Sequence, residues 1–321
     1  MHAGPGRQRQ VHLVLENDDN QVRFLERNMP GYIAQWNDDC HHALHVLATG
    51  ETGGYYLDYA AQPAAQLGRC LAEGFAYQGE CSTYRHGAPR GERSSHLPAT
   101  AFVTFLQNHD QVGNRACGER LVQLAILPAL TAVTAILLLA PSPPLLFMGQ
   151  EWGSEQPFPF FCDFGPDLAP KVTAGRRQEF ARFPEFSDPA AQARIPDPNA
   201  QTTFQSAILN WDALADDQSQ HWLTLHRKLL TLRHTEIIPR LAGISGGAAH
   251  YRLLSERALA IEWRLGDGSH LHLIANLGEA PMQLTEQPTG RLLYATPDEA
   301  GTAGDRGVLP AWSVAWYLQE T

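Results

Sequence analysis

The chain contains no C-x-x-C pair. Its five cysteines, Cys40, Cys70, Cys81, Cys117 and Cys162, are scattered and odd in number, which argues against both a disulfide framework and a zinc site. A reducing, cytoplasmic setting is the matching expectation. Positive charge is also scarce: the formal net charge is -10 and the sequence pI is near 5.7, so the basic footprint of a nucleic-acid binder is missing. Leu124 to Ala140 is the only long apolar stretch. It falls short of the ~20 residues that a bilayer span needs and carries Pro128 near its start, so it reads as a buried helix and no membrane association is expected. Met1 to Gln10 lacks the apolar segment of a secretory signal, and secretion is not expected. Neither a G-x-S-x-G elbow nor a P-loop occurs, which leaves an esterase or an NTPase without support. There is no internal repeat and no low-complexity tract.

What is present suits a folded α/β protein. With 321 residues and 44% apolar content, the chain can build one large domain and a small one around a sizeable core. Four apolar strand candidates precede residue 150: Val11 to Leu15, Tyr32 to Trp36, Phe102 to Gln107, and Leu145 to Met148. Helical periodicity separates them at Gln21 to Arg27, His41 to Ala48, Ala64 to Gly74 and Gly118 to Leu139, with a further helix at His221 to His234. Serial βα units imply a parallel sheet, and four strands are half of what a (β/α)8 barrel requires. Gly149 to Asn210 is rich in Pro, Phe and Gly and reads as a long functional loop. Beyond about Pro239, short strands at Ala258 to Trp263, His270 to Ala275, Arg291 to Tyr294 and Ser313 to Leu318 suggest a small antiparallel β domain. The expected division is therefore 1–238 for a partial barrel and 239–321 for a β-sandwich.

Two of the strand candidates run into acidic, polar turns. Val11-His12-Leu13-Val14-Leu15 meets Glu16-Asn17-Asp18-Asp19-Asn20, and Phe102 to Gln107 leads into Asn108-His109-Asp110-Gln111. In a parallel α/β barrel the chemistry collects where the strands finish. Paired acids there suit glycoside hydrolysis, in which one carboxylic acid protonates the leaving oxygen and carboxylates meet the positive charge on the sugar ring. Taken singly, each acid is as well explained as an N-cap of the helix that follows. Trp36 offers a platform for a pyranose face or an ordinary core aromatic. His41 and His45 have the i, i+4 spacing of a metal pair, but no Glu follows His41, so no metal is expected. Phe158 to Phe161 would either line an oligosaccharide groove or pack beneath the long loop.

Four ordered segments resemble the malto-oligosyltrehalose trehalohydrolase family of the α-amylase superfamily of retaining glycoside hydrolases. They are Leu13-Val14-Leu15-Glu16-Asn17-Asp18, Ala34-Gln35-Trp36-Asn37-Asp38-Asp39 with His41-His42, Phe105 to Arg115, and Leu146-Phe147-Met148-Gly149-Gln150-Glu151-Trp152. The resemblance covers essentially the whole chain. It implies strands 5 to 8 of a (β/α)8 barrel followed by an antiparallel β-sandwich, with no cofactor. The substrate implied is maltooligosyl-trehalose or another α-glucan, cleaved at the α-1,4 bond next to the terminal trehalose.

By the same resemblance Glu16 is the general acid, Asp110 stabilises the transition state, and His109 binds substrate. Gln111, Asn114, Trp36, Asp38, His41, Glu51 and Tyr55 join it as substrate-binding candidates, with Tyr56 beside the last two. The family's nucleophile, an aspartate after the fourth strand, has no counterpart in this sequence, so the chain alone is expected to be inactive and to need an N-terminal half. The rival expectations are a glucan branching or debranching enzyme and a non-catalytic glucan-binding fragment.

Overall fold

The computed structural model describes residues 11–26, 31–181, 183–284, 286, 289–302 and 307–320. The expectation about Met1 to Gln10, and the last residue of the helix expected at Gln21 to Arg27, lie outside these residues. The chain forms two compact units, one of residues 1–106, 127–145 and 228–321, the other of residues 107–126 and 146–227.

The first unit holds both sheets. Strands β1 (Val14–Leu15), β2 (Ala34–Trp36), β3 (Phe102–Phe105) and β4 (Pro144–Leu145) pair in sequential order. Every pairing is parallel, with Leu15 opposite Gln35, Trp36 opposite Val103 and Phe105 opposite Leu145. Parallel neighbours need crossover connections. Helices α1 (Asp38–Thr49) and α2 (Pro63–Glu73) lie between β2 and β3, and α3 (Leu127–Leu139) lies between β3 and β4. All four residues of β3 are buried, as expected for a central parallel strand. β1 departs from the sequence reading: Val11, Leu13 and Val14 are exposed rather than buried, because β1 is an edge strand paired on one side only.

Helix expectations hold in type except at Gln21 to Arg27, and shift in extent. The region from Gln21 forms only a 3-10 turn, Val22–Phe24. The single helix expected from Gly118 to Leu139 is two: Leu121–Leu124 ends at Ala125, whose ψ of 147° is extended, and α3 restarts with Pro128 in its first turn. A proline there lacks only an N–H that would go unbonded anyway. α3 is apolar all round and almost wholly buried, the pattern of an interior helix. No helix of the described residues is long and apolar enough to cross a membrane.

The second sheet is antiparallel, with order β5 (Ala249–Ser255), β6 (Ala258–Arg264), β7 (His270–Asn276), β11 (Ser313–Gln319) and β9 (Arg291–Thr296). A ribbon of β8 (Met282–Gln283) and β10 (Val308–Leu309) packs over it, with Ile274, Ala300 and Leu309 in the shared core. β5, a half-exposed edge strand, escaped the sequence reading; its alternation of Ala249, Tyr251 and Leu253 with His250 and Arg252 breaks at Leu253-Leu254, where the pairing register shifts. The other face of this sheet is continuous with the α-helical layer. Trp263 stacks on Trp316 at 5.7 Å and donates its indole N–H to the carbonyl of Leu71 in α2 at 3.0 Å. Gly68 of α2 lies under Tyr251 of β5, where a Cβ would come within 2.3 Å of the ring. The boundary expected at residue 238 thus marks a change of architecture inside one compact unit.

In the second unit the Gly149 to Asn210 stretch is not irregular. It carries helices Ala169–Phe180, Pro189–Ala193 and Gln201–Ser206. Its phenylalanines build local cores, with Phe158 against Phe147 at 5.0 Å and Phe161 at 5.6 Å, and with Ala116, Phe180 and Ile195 clustered.

α3 ends against a buried cation of the same unit. The Arg233 guanidinium donates to the carbonyls of Leu138 (3.2 Å), Ala140, Pro141 (3.3 Å) and Ser142 (2.8 Å). Burial pulls its pKa down to about 10, which leaves it charged at neutral pH. A positive group at a helix C-terminus satisfies carbonyls that have no partner within the helix. Arg233→Met strips these carbonyls of their donor, and the expected loss, read from urea unfolding, is about 3 kcal/mol.

Candidate active site

The turn after β1 is held from beneath by a buried carboxylate. Asp39, in the first turn of α1, is fully buried. It accepts hydrogen bonds from Asn20 Nδ2 (2.9 Å), Tyr59 Oη (2.5 Å), and the backbone N–H groups of Ala76 (2.8 Å) and Tyr77 (2.9 Å). The Arg90 guanidinium, itself buried, completes the set at 2.8 Å. Burial alone would lower the pKa of Arg90, but the charge of Asp39 and the bonded Tyr59 outweigh it and raise the pKa above the ordinary arginine value. Burial, followed by the charge of Asp39, pushes the Tyr59 hydroxyl well above its usual range.

The same network grips the turn carrying Glu16. Arg90 Nε donates to the carbonyl of Asp18 at 2.7 Å, and Gln35 Nε2 to that of Asn17 at 2.7 Å. Arg85 bridges Asp18 and Asp19 at 2.8 and 2.6 Å. Asn20 takes a left-handed φ of 53°, which an Asn tolerates better than most residues. Glu16 itself follows β1 directly and is exposed. Asp39 and Asn20 stand in segments singled out from the sequence but received no role there, and Tyr59 and Arg90 were missed. A second acid in the first turn of a helix that has no other charged carboxylate or cation was the available signal for Asp39; Arg90, in a loop, had none.

Around the first two turns of α1 gathers a cluster of histidines and tyrosines. Asp38 is buried in the first turn. Trp36 is half-buried, its ring 5.9 Å from Phe105 in an edge contact. His41 does not face solvent as a substrate contact would. It is 2% exposed, lies flat on Phe105, and has both ring nitrogens engaged. Nδ1 is 2.9 Å from the carbonyl of Leu106 and Nε2 is 3.2 Å from Tyr56 Oη. A carbonyl only accepts, so Nδ1 carries the proton and Nε2 accepts from the Tyr56 hydroxyl. His45 stacks on Tyr56 at 4.2 Å, and its Nε2 is 2.7 Å from Glu51 Oε2. Tyr55 is half-buried between His42 (4.9 Å) and Tyr56 (4.6 Å). The His41–His45 pair therefore serves this packed network, and among the described residues no group of three or more His, Cys, Asp or Glu is arranged for a metal.

The second unit carries the other candidate acid. Asn108 is extended and caps the short helix His109–Gly113, its side chain accepting from the N–H groups of Asp110 (2.9 Å) and Gln111 (3.0 Å). His109 and Asp110 are exposed at the start of this helix, whereas Gln111 points inward. Asn114, also exposed, donates from Nδ2 to Asp110 Oδ1 at 2.9 Å, so these two candidates meet. Arg176 ties down the helix end, donating to the carbonyls of Gly113 (2.6 Å) and Arg115 (2.9 Å). Phe158 and Phe161 are half-buried and pack beneath the loop, while Phe160 is 40% exposed and 5.4 Å from the Arg176 guanidinium. The capping role weighed for Asp110 falls to Asn108 instead, which leaves the Asp110 carboxylate facing water.

Comparison with known proteins gives this arrangement a lineage. The chain is 36% identical over 314 residues to the malto-oligosyltrehalose trehalohydrolase of Rhizobium sp. (strain M-11), covering 96% of this chain and 50% of that protein. The chain is homologous to the malto-oligosyltrehalose trehalohydrolases. The Mycobacterium tuberculosis trehalohydrolase is 39% identical over 235 residues, or 71% of this chain and 39% of the relative. The chain thus spans about half the length of the curated trehalohydrolases it matches, or less. A crystal structure from Salmonella typhimurium, provisionally named an alpha amylase, superposes with a TM-score of 0.88 at 40% identity, covering 98% of this chain and 53% of that one. An α-amylase from H. orenii, 15% identical with a TM-score of 0.52, shares the fold. Residues 246–316, within the antiparallel sheet, match a family described as a domain of unknown function, DUF3459.

The buried histidines make acid the weak side of this protein. Burial, then the neighbouring His45, holds His41 well below the usual histidine pKa, against the opposing bond to Leu106. Burial, then His41, Arg90 and His45, does the same to His42, whose Nδ1 has no hydrogen-bond partner among the described residues. A depressed folded pKa means that the unfolded chain binds more protons below about pH 6.5, so stability present above that pH is lost on acidification. With two such groups the slope below pH 6.5 is expected to reach about 2.7 kcal/mol per pH unit, read from denaturant midpoints between pH 7.5 and 5. His42→Phe should roughly halve it. Asp39→Ala strands the Arg90 charge and should cost about 3 to 5 kcal/mol at pH 7.

Proposed function

We propose that this chain is the C-terminal portion of a retaining α-glycosidase of the α-amylase superfamily, comprising the second half of a (β/α)8 barrel and its β-sandwich. In this reading it acts on the α-1,4 bond next to the terminal trehalose of maltooligosyl-trehalose. The observation that carries the reading is the match of 36% identity along 96% of the chain to a trehalohydrolase. Four sequential parallel strands, with exposed acids on the turns beyond β1 and β3, support it.

The chemistry follows from the two carboxylates. The Glu16 carboxylic acid donates its proton to the glycosidic oxygen, and trehalose leaves as a neutral alcohol. A carboxylate nucleophile, supplied by the part of the enzyme that this chain does not span, bonds to the anomeric carbon in the same step. Water then attacks that carbon, Glu16 takes the water's proton, and the ester bond to the nucleophile breaks to free the maltooligosaccharide. Asp110, steadied by Asn114, binds sugar hydroxyls and balances oxocarbenium charge. His109 at the same helix start binds substrate.

In the assembled enzyme, maltotriosyl-trehalose should yield free trehalose and maltotriose, detected by chromatography. Chain transfer or cleavage of α-1,6 branches instead would point to a branching or debranching enzyme. Glu16→Gln should lower kcat by on the order of 10² to 10⁴-fold. The 321-residue chain alone should show no turnover; robust hydrolysis by it would overturn the assignment of the nucleophile to another segment.

A further inference from the structure

The antiparallel sheet has a face that the helices do not cover. Tyr251 points to the helical side, over Gly68 of α2, so its strand neighbours His250 and Arg252 point the other way. On that outer face two adjoining rows of cross-strand partners run over three strands. His250 of β5, Glu262 of β6 and His272 of β7 stand directly opposite one another, and in the next row Arg252, Ala260 and Ile274 do the same. Directly opposed side chains lie close enough to act together. In the second row a methyl group is flanked by two larger side chains, so the surface dips at Ala260. The segment after β8 walls the dip, with Glu286 paired to Arg252 at 2.6 Å and Thr289 also in the lining. The result is a cavity of about 300 Å³ built wholly from residues of the 246–316 stretch.

The chemistry of the lining selects a neutral, hydroxyl-rich ligand. Two carboxylates, one guanidinium and two imidazoles concentrate neither sign of charge, and among the described residues no such group is arranged for a metal. Glu262 keeps bonding capacity in hand: its Oε1 takes His270 Nδ1 at 2.6 Å, while Oε2 lies 3.8 Å from His272 Nδ1. Burial, against the charge of Glu262, lowers the His272 pKa and leaves that ring neutral at pH 7. With its proton on Nδ1 toward the carboxylate, its Nε2 is an acceptor, and this atom is buried with no hydrogen-bond partner among the described residues. Hydroxyl groups bonded to ionised side chains form the stronger class of hydrogen bond, and Ala260 and Ile274 offer an apolar floor to the C–H face of a saturated ring. We propose that this cavity binds one neutral hexose ring, held by Glu262, His272 and Arg252, and that the ring is an α-linked glucosyl unit. Only the last clause rests on the functional reading above. The stretch holds none of the candidate catalytic residues, so the site serves to hold a sugar and not to cleave it.

The test is titration of the 321-residue chain with maltotriose, trehalose and methyl α-mannoside, followed by calorimetry and by the imidazole resonances of His250 and His272. Saturable binding with a Kd on the order of 1 mM is expected, with both sets of resonances shifted. Glu262→Gln should weaken it about tenfold, and Ala260→Leu, which fills the dip, should abolish it. Leu253→Lys, exposed on the same strand as Arg252 but not in the lining, should bind as the parent does. Matching far-UV spectra of the variants would show that a loss is not unfolding. Resonances that no sugar moves, affinity undiminished by both substitutions, or Zn²⁺ or inorganic phosphate taking the site in place of sugar would overturn the inference. Tighter binding of maltotriose than of trehalose would make a glucan end the source of the ring, and the reverse a free disaccharide; both support the site. A preference for methyl α-mannoside over both would leave the hexose site standing and count against the functional reading.

Discussion

The buried Asp39–Arg90 pair is the interaction on which the turn after β1 and its surroundings depend. Taking two charges out of water costs several kcal/mol per ion unless geometry and further hydrogen bonds compensate. Here compensation is nearly complete on the acid side, where Asn20, Tyr59, Ala76, Tyr77 and Arg90 all donate to one carboxylate. These donors come from segments far apart in sequence. The pair therefore closes several loops at once, and one of them is the turn that carries Glu16 out of β1. The acid role proposed for Glu16 demands placement to within a fraction of an ångström, and a loop achieves this when a rigid scaffold grips it from below.

That division between grip and contact runs through the motifs as a whole. Asn37 caps α1, Asn108 caps the helix His109–Gly113, and Gln107 accepts from the N–H of Leu121 at 2.8 Å. Side chains of this kind spend their hydrogen bonds on backbone. His109 and Asp110, next to Asn108, are exposed, as are Asn114 and, on the turn after β1, Glu16. His41 and Asp38 were grouped with the second class on sequence grounds and are buried with the first. A polar motif at a strand end thus mixes residues that shape the turn with residues that act from it, and the two kinds share the same letters.

The antiparallel sheet takes part in the same architecture rather than hanging from it. The Trp263 indole bonds to α2, the Arg257 guanidinium reaches the carbonyl of Leu47 in α1 at 2.6 Å, and β11 packs on α3. Covering the helical layer in this way gives α3, with no polar face of its own, a dry environment. It also explains why the two architectures separate by pattern and not by compactness.

The sequence determined the element types, the parallel and antiparallel halves, and the strand-end acids, because hydrophobic period and turn chemistry are local properties that survive in a string of letters. Apolar runs at Val11, Phe102 and Ser313 read as strands, and Glu16 and Asp110 lie where the first two give out. Tertiary structure decided the rest. It broke the helix at Ala125, ordered the Gly149 to Asn210 stretch, exposed β1, and turned His41 from a candidate ligand contact into a buried brace. It also chose Asp39 over Asp38 as the hub, which no pattern could do, since the energy of a buried charge depends on which distant donors reach it in space.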